Sequence, residues 1–135
     1  MSAEVATTAR PLSKKVADMV TVLMAHKWDE FVKFFSKDLF YKVGASPPLH
    51  GPEDARDYLA GVYTKLKFTG HDVRGMWEFD NVVIIEMDAN YTVLADGSFV
   101  QVPCCDIYRF DANGLINEWR VYPDASNVVK FLAAA

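Results

Sequence analysis

Hydrophobic residues recur every three or four positions through the first half of the chain and alternate with polar ones through the second. In residues 98–111 the even positions are Val100, Val102, Cys104, Asp106, Tyr108 and Phe110, whereas the odd ones include Gln101, Pro103, Arg109 and Asp111. Neighbouring side chains of a strand point to opposite faces, so the even set forms an interior face. The preceding segment has the same pattern, with Ile85, Met87, Ala89, Tyr91 and Val93 apolar and Glu86, Asp88, Asn90 and Thr92 polar. Asp96-Gly97 and Asn113-Gly114 signal two-residue hairpin turns. The first turn sets Asp106 opposite Met87, and Cys104 opposite Ala89. The second sets Asp106 opposite Val121, and Tyr108 opposite Trp119. On the last strand Leu115, Trp119 and Val121 share one face, and Glu118, Arg120 and Tyr122 the other. A one-residue slip would break this match on every strand.

Upstream, Val16, Met19, Val20, Leu23 and Met24 keep a helical period, which predicts a helix over residues 13–26 with Ser13 as its N-cap. A second short helix, residues 27–36, packs through Trp28, Phe31, Phe34 and Phe35. Residues 38–43 read as a strand, and a loop over 44–51 carries Pro47-Pro48. Pro52 opens a third helix, with Glu53 and Asp54 complementing its dipole and Ala55, Tyr58, Leu59, Val62 and Leu66 on its buried side. A strand over residues 71–79 turns at Asp80-Asn81, and residues 124–132 form a short closing helix. Helices first and a run of antiparallel strands afterwards predict an α+β domain. Its curved antiparallel sheet wraps on the N-terminal helices as a cone with one internal pocket. Residues 1–12 are expected to be a disordered arm and 13–135 a single domain.

Asp106 is the one charged residue on an otherwise apolar strand face. A carboxyl group placed there must be paired, hydrogen-bonded or kept neutral by a raised pKa. Such groups often belong to active sites, and the structural alternative is a carboxyl tied to a tyrosine hydroxyl in the core. Composition narrows the partners. The chain has 135 residues, of which 51% are hydrophobic, and a net charge of −4, a balance that argues against nucleic acid or an anionic membrane. No apolar run reaches the roughly 18 residues of a membrane span. Cys104 and Cys105 point to opposite faces, are poor disulfide partners, and have no metal-ligand spacing around them. A cytoplasmic location is expected.

The order of elements, together with Val82 to Thr92, Cys105-Asp106-Ile107-Tyr108-Arg109-Phe110-Asp111, Gly114-Leu115-Ile116 and Trp119-Arg120-Val121-Tyr122-Pro123-Asp124, resembles the SnoaL-like branch of the nuclear transport factor 2-like superfamily. The resemblance covers almost everything past Leu12. It specifies the fold well and the reaction poorly, because the superfamily hosts isomerases, hydrolases, cyclases, dehydratases and binders. Asp106 falls on the aspartic acid that ketosteroid isomerases keep protonated to donate to an oxyanion. The tyrosine and general-base positions of that family carry Met19 and Val43. Tyr41 matches a water-holding tyrosine of limonene-type epoxide hydrolases, whose neighbouring asparagine and acid are replaced by Val43 and Val121. Both families' full constellations are thus absent. The polyketide cyclases are the loosest match.

The resemblance implies a cofactor-free enzyme using acid–base chemistry on a small hydrophobic, carbonyl-bearing or polyketide-like molecule, by isomerisation, cyclisation or dehydration. Asp106 would carry the proton, with Tyr41 or Tyr91 as hydrogen-bond donor. Tyr108, Trp119, Met87, Val93, Val43 and Val121 are expected to line the pocket, Tyr58 and Leu59 to close its far side, and His50 to stand at its mouth. His71 starts a strand and either reaches the cavity or caps an edge. No metal is expected, and a homodimer through the outer sheet face is. The alternative is a non-catalytic binding or dimerisation module.

Overall fold

The computed structural model describes residues 10–129. Helix α1 (Pro11–Met24) leads through α2 (Trp28–Phe31) and a 3₁₀ turn (Val32–Phe34) into strand β1 (Phe35–Val43). Then come β2 (Leu49–His50), α3 (Pro52–Val62), β3 (Leu66–Phe79), β4 (Val82–Val93), β5 (Phe99–Phe110) and β6 (Ile116–Pro123). The six strands form one sheet in the order β2-β1-β6-β5-β4-β3. The α+β class and the curved sheet packed on helices agree with expectation. The sheet is mixed and not closed, however, because β1 runs parallel to β6 with Tyr41 beside Trp119 and Val43 beside Val121.

Helix α1 starts earlier than the pattern suggests. Pro11 occupies its first turn and Arg10 is the N-cap residue, with no side-chain capping bond of its own. Ser13, expected as the cap, is instead a buried first-turn residue. Its backbone N–H and its hydroxyl donate to Glu78 Oε1 of β3 at 2.8 and 2.9 Å. A carboxylate from the sheet thereby satisfies one of the free amides of the helix and complements its dipole. Pro11 and Leu12 are helical, so the expected arm of residues 1–12 is shorter than drawn, and residues 1–9 lie outside the described residues. At the other end His26 adopts φ 56°, and the Lys27 amide bonds Val22 O while the His26 amide bonds Leu23 O. This paired closure is a Schellman motif.

Two hairpins differ from the two-residue reading. Between β4 and β5, Val93 N–H bonds Ser98 O, and Asp96 accepts from the amide and hydroxyl of Ser98. The loop therefore spans residues 94–97, with Gly97 at φ 75°. The register moves by two residues, so Asp106 faces Ile85 and Cys104 faces Met87. An even shift preserves the faces, which is why alternation could not detect it. Between β5 and β6, the Asp111 amide bonds Leu115 O, which makes a three-residue loop. A bulge between Arg109 and Phe110 then restores the expected pairs, Asp106 with Val121 and Tyr108 with Trp119. The bulge turns Ile116 rather than Leu115 into the core.

Other boundaries shift for similar reasons. The second helix gives way to β1 at Phe35, because its aromatic residues serve a strand as well as a helix. Leu66 continues the periodicity of α3 yet begins β3, and a register irregularity at Gly70 bends that strand. A second irregularity near Gly75 leaves Gly75 beneath the Trp77 indole, where a Cβ would fall 2.1 Å from a ring carbon. Residues 126–128 form a turn and Val129 is helical, so the expected closing helix begins later than residue 124, and its remainder lies outside the described residues. Asp88, placed on the polar face, is 6% exposed and ion-paired with Arg74.

His71 stands within β3 rather than at its start, with its ring 4.8 Å from that of Phe68. Burial lowers its pKa from 6.5 to about 4. The neutral form is thus favoured in the fold, giving stability that is present above pH 6.5 and lost as the pH falls through about 4. His71→Gln is expected to flatten the decline in urea midpoint between those pH values. Glu78→Ala strips α1 of its cap and is expected to cost about 1–2 kcal/mol in urea unfolding at neutral pH. An unchanged midpoint would show that the cap is dispensable.

Candidate active site

Where the inner faces of β1, β4, β5 and β6 meet α3, the core leaves a cavity of about 110 Å³. Tyr41 and Val43 approach it from β1, Tyr58, Leu59 and Val62 from α3, and Tyr91 and Ala89 from β4. Val102 and Cys104 of β5 and Val121 of β6 complete the sheet side, with Tyr63 and Leu66 following α3. Ala125 and Val128, in the segment after β6, cover one end. Val128 is only 3% exposed although its turn is tied down at the surface through Asn127 Nδ2, which donates to Gln101 O.

Four tyrosines supply most of this cavity's polarity. Tyr41 is 2% exposed, yet no protein group among the described residues bonds its hydroxyl. No fully buried side-chain N or O among the described residues lacks a partner, so the Tyr41 hydroxyl must open into free space within the cavity. Among the described residues no group bonds the hydroxyl of Tyr58, Tyr63 or Tyr91 either. Burial raises the pKa of all four, followed for Tyr41, Tyr63 and Tyr91 by the influence of neighbouring ionisable groups. They therefore stay protonated and able to donate.

Asp106 lies one layer behind the cavity wall and is 5% exposed. Its Oδ2 accepts from Tyr108 Oη at 3.2 Å and from Trp119 Nε1 at 3.1 Å. Its Oδ1 accepts from Cys104 Sγ at 3.0 Å. Strand parity explains this grouping. Cys104, Asp106 and Tyr108 project from one face of β5, and Trp119 sits beside Tyr108 on β6. Burial raises the carboxyl pKa, while the bonds from Cys104, Trp119 and Tyr108 pull it back. No cation among the described residues takes part. Burial, followed by the charge of Asp106, holds the Cys104 thiol well above its usual pKa.

Trp119 joins the acid to the cavity. Its indole stacks on Tyr41 at 4.5 Å, on Tyr108 at 5.3 Å and on Phe35 at 5.8 Å between ring centroids. Of the residues expected at the site, Tyr41, Val43, Tyr58, Leu59, Tyr91 and Val121 line the cavity. Tyr108 and Trp119 hold Asp106 behind it. Met87 belongs to the packed core outside the lining, because the two-residue shift sets it beside Cys104 rather than Asp106. His71 packs on Phe68, outside the lining. His50 is exposed on β2, edge-on to Phe40 at 5.9 Å, and does not stand at the mouth.

Tyr63 and Cys104 are the polar contributors that the sequence reading did not assign to the site, beside apolar ones such as Val62, Ala89, Val102 and Val128, whereas Val93, expected in the lining, packs in the core outside it. Tyr63 continues the Ala55–Leu59 stripe by one more i+4 step, so helical periodicity could have found it. For Cys104 the inward parity was legible, whereas its bond to Asp106 needed coordinates. Among the described residues no group of three His, Cys, Asp or Glu side chains is placed to hold a metal. None of the described helices is long and apolar enough to cross a membrane.

Similar solved structures share this architecture. A protein from Shewanella putrefaciens assigned to the SnoaL-like polyketide cyclases superposes with a TM-score of 0.78 at 14% identity, over 93% of this chain and 98% of that one. An LEH-like epoxide hydrolase from M. tuberculosis gives 0.72 at 19% identity, over 90% and 88%. A protein with a ketosteroid isomerase-like fold from Catenulispora acidiphila, in complex with trimethylamine, gives 0.74 at 14%, over 90% and 93%. At these identities the likeness establishes the fold alone. No curated protein matches the sequence. The family model for the SnoaL-like domain matches residues 16–119, well over half of the chain. The chain belongs to the SnoaL-like domain family.

Proposed function

We propose that this protein is a cofactor-free acid–base enzyme that isomerises, cyclises or dehydrates a small hydrophobic, carbonyl-bearing molecule. One observation carries the reading: a buried acid lies one thiol away from an apolar cavity lined by tyrosines, and among the described residues neither the acid has a cationic partner nor the tyrosine hydroxyls a protein one. In this reading a ligand oxygen accepts from Tyr41 and Tyr91. Rotation of the short Cys104 side chain uncovers Asp106 Oδ1, and the acid then gives or takes a proton at the ligand. Its raised pKa suits that exchange, because a general acid–base works best when its pKa lies near the ambient pH. Epoxide opening fits less well, since Val43 and Val121 offer a water nothing to bond.

The proposal includes a homodimer through the outer sheet face, where Ile84 and Ile107 are half-buried and Tyr122 is 51% exposed. It also includes a reducing cytoplasm as location, which suits the two free cysteines. A second reading, as a non-catalytic binder, is favoured by the three donors, Cys104, Tyr108 and Trp119, that already occupy the two oxygens of Asp106.

The test is turnover of a panel of small cyclic enones and hydroxyketones, followed by proton NMR. Wild type is expected to convert at least one compound, and Asp106→Asn to lose about 100-fold or more in rate. Cys104→Ala, which removes the thiol in front of the acid, is expected to raise the rate. Equal turnover by wild type and Asp106→Asn would refute the role of the acid. Binding without turnover in all three proteins would establish the second reading.

A further inference from the structure

The three donors on Asp106 are unequal, and the difference gives its two oxygens different roles. Oδ2 accepts from the Trp119 indole N–H at 3.1 Å and from the Tyr108 hydroxyl at 3.2 Å. Oδ1 accepts from the Cys104 thiol at 3.0 Å. A thiol is a weak donor beside an indole or a phenol, so Oδ2 is held firmly and Oδ1 loosely. Cys104 also lines the cavity, which puts Oδ1 on the cavity side of the acid.

An aspartate does not itself fix which oxygen faces which way. Its last torsion joins sp³ to sp² carbon and has a broad, roughly two-fold profile, so the plane of the carboxyl is set by its partners. Tyr108 is a permissive partner, because its hydroxyl hydrogen rotates about the C–O bond and follows the acceptor. Trp119 is not. Its N–H lies in the plane of the indole and points wherever the ring points. That ring is 4% exposed and stacks on Tyr41 at 4.5 Å, on Tyr108 at 5.3 Å and on Phe35 at 5.8 Å, with 12° between the last two planes. Turning the indole would disrupt all three contacts.

We propose that Trp119 is the positioning residue of the site: its ring-locked N–H holds Oδ2 of Asp106 and so keeps Oδ1 turned to the cavity as the oxygen that exchanges a proton with the ligand. The proton exchange rests on the functional proposal above, whereas the orientation is read without any turnover. Trp119 acts through Asp106 and is not itself a catalytic residue.

Two variants separate this role from a merely structural one, because Trp119→Phe and Tyr108→Phe each remove one donor from Oδ2 and keep an aromatic ring. Crystal structures of both are compared. In Tyr108→Phe the carboxyl is expected to keep its plane, with Oδ2 on Trp119 and Oδ1 on Cys104. In Trp119→Phe it is expected to turn out of that plane or to occupy two orientations, with the Cys104 bond lost. A ¹³C carboxyl titration of Asp106 is expected to move upward in both, since each loses a bond to the charged form. The titratable groups that interact with the acid are Tyr41 of β1, Tyr63 beyond α3, Tyr91 of β4, and Cys104, Cys105 and Tyr108 of β5. All have raised pKa values, so none overlays an acidic transition. On any compound that wild type converts, Trp119→Phe is expected to lower kcat about tenfold more than Tyr108→Phe does, with KM within about threefold. A carboxyl in its wild-type plane in Trp119→Phe, or an unmoved titration there, would overturn the proposal. Should that variant not fold, Tyr108→Phe still decides, because a carboxyl turned away from Trp119 would overturn it equally. Equal losses of kcat in the two variants would overturn the use of the orientation in catalysis. Absence of turnover in wild type would count against the functional proposal, while the orientation would be judged by the structures.

Discussion

A carboxyl group buried without a cation must be stabilised by hydrogen bonds or remain protonated, and much of this molecule is arranged around that requirement at Asp106. Leaving such a group unsatisfied costs several kcal/mol, on the order of a sizeable part of a small domain's stability. Trp119 is therefore constrained in two ways. Its indole N–H can only donate, so it fixes one carboxyl oxygen as an acceptor. Its ring stacks on Tyr41, Tyr108 and Phe35, so any movement of the acid's partner disturbs the cavity wall. The bulge between Arg109 and Phe110 serves the same end, because it restores the register that brings Trp119 beside Tyr108 after a three-residue loop.

The tyrosine hydroxyls have the opposite arrangement. Where Asp106 is surrounded by donors, the Tyr41 hydroxyl is left facing space inside a core that is otherwise tightly packed. Polar groups in folded interiors normally find partners, and a polar atom facing an internal space is the kind of feature that a ligand or ordered water completes. The saturated acid and the unsaturated phenols thus divide the site into a layer that holds its geometry and a layer that faces outside molecules. Cys104, which bonds the acid and lines the cavity, and Trp119, which bonds the acid and stacks on Tyr41, connect the two.

Alternation along β4 and β5 was sufficient to place Asp106 inside and to pair it with Val121, because an interior face and the Asn113-Gly114 turn both report on parity. It could not place Asp106 opposite Ile85. Asp96-Gly97 reads equally well as the end of a four-residue loop, and an even shift leaves every side chain on its face. Met87 was misplaced for that reason. Ser13 was legible as a residue at a helix start but not as a partner of Glu78, since the two are 65 positions apart and meet only through the sheet. His50 was drawn to the pocket by its place in a loop, whereas β2 sends it to the edge. The cavity's small volume had no signature in sequence at all. It results from how far Tyr41, Tyr58 and Tyr63 reach, which rotamers decide.

Burial outweighs three hydrogen bonds at Asp106 and keeps its carboxyl above the ordinary carboxylate range. The direct measurement is a ¹³C NMR titration of the aspartate side-chain carboxyls, with the Asp106 signal assigned by its absence from Asp106→Asn. One aspartate is expected to titrate above the others, with the Trp119 indole proton shifting at the same pH. An Asp106 carboxyl that titrates with or below the surface aspartates would contradict it, and would make the cluster a structural tie rather than a reserve of protons.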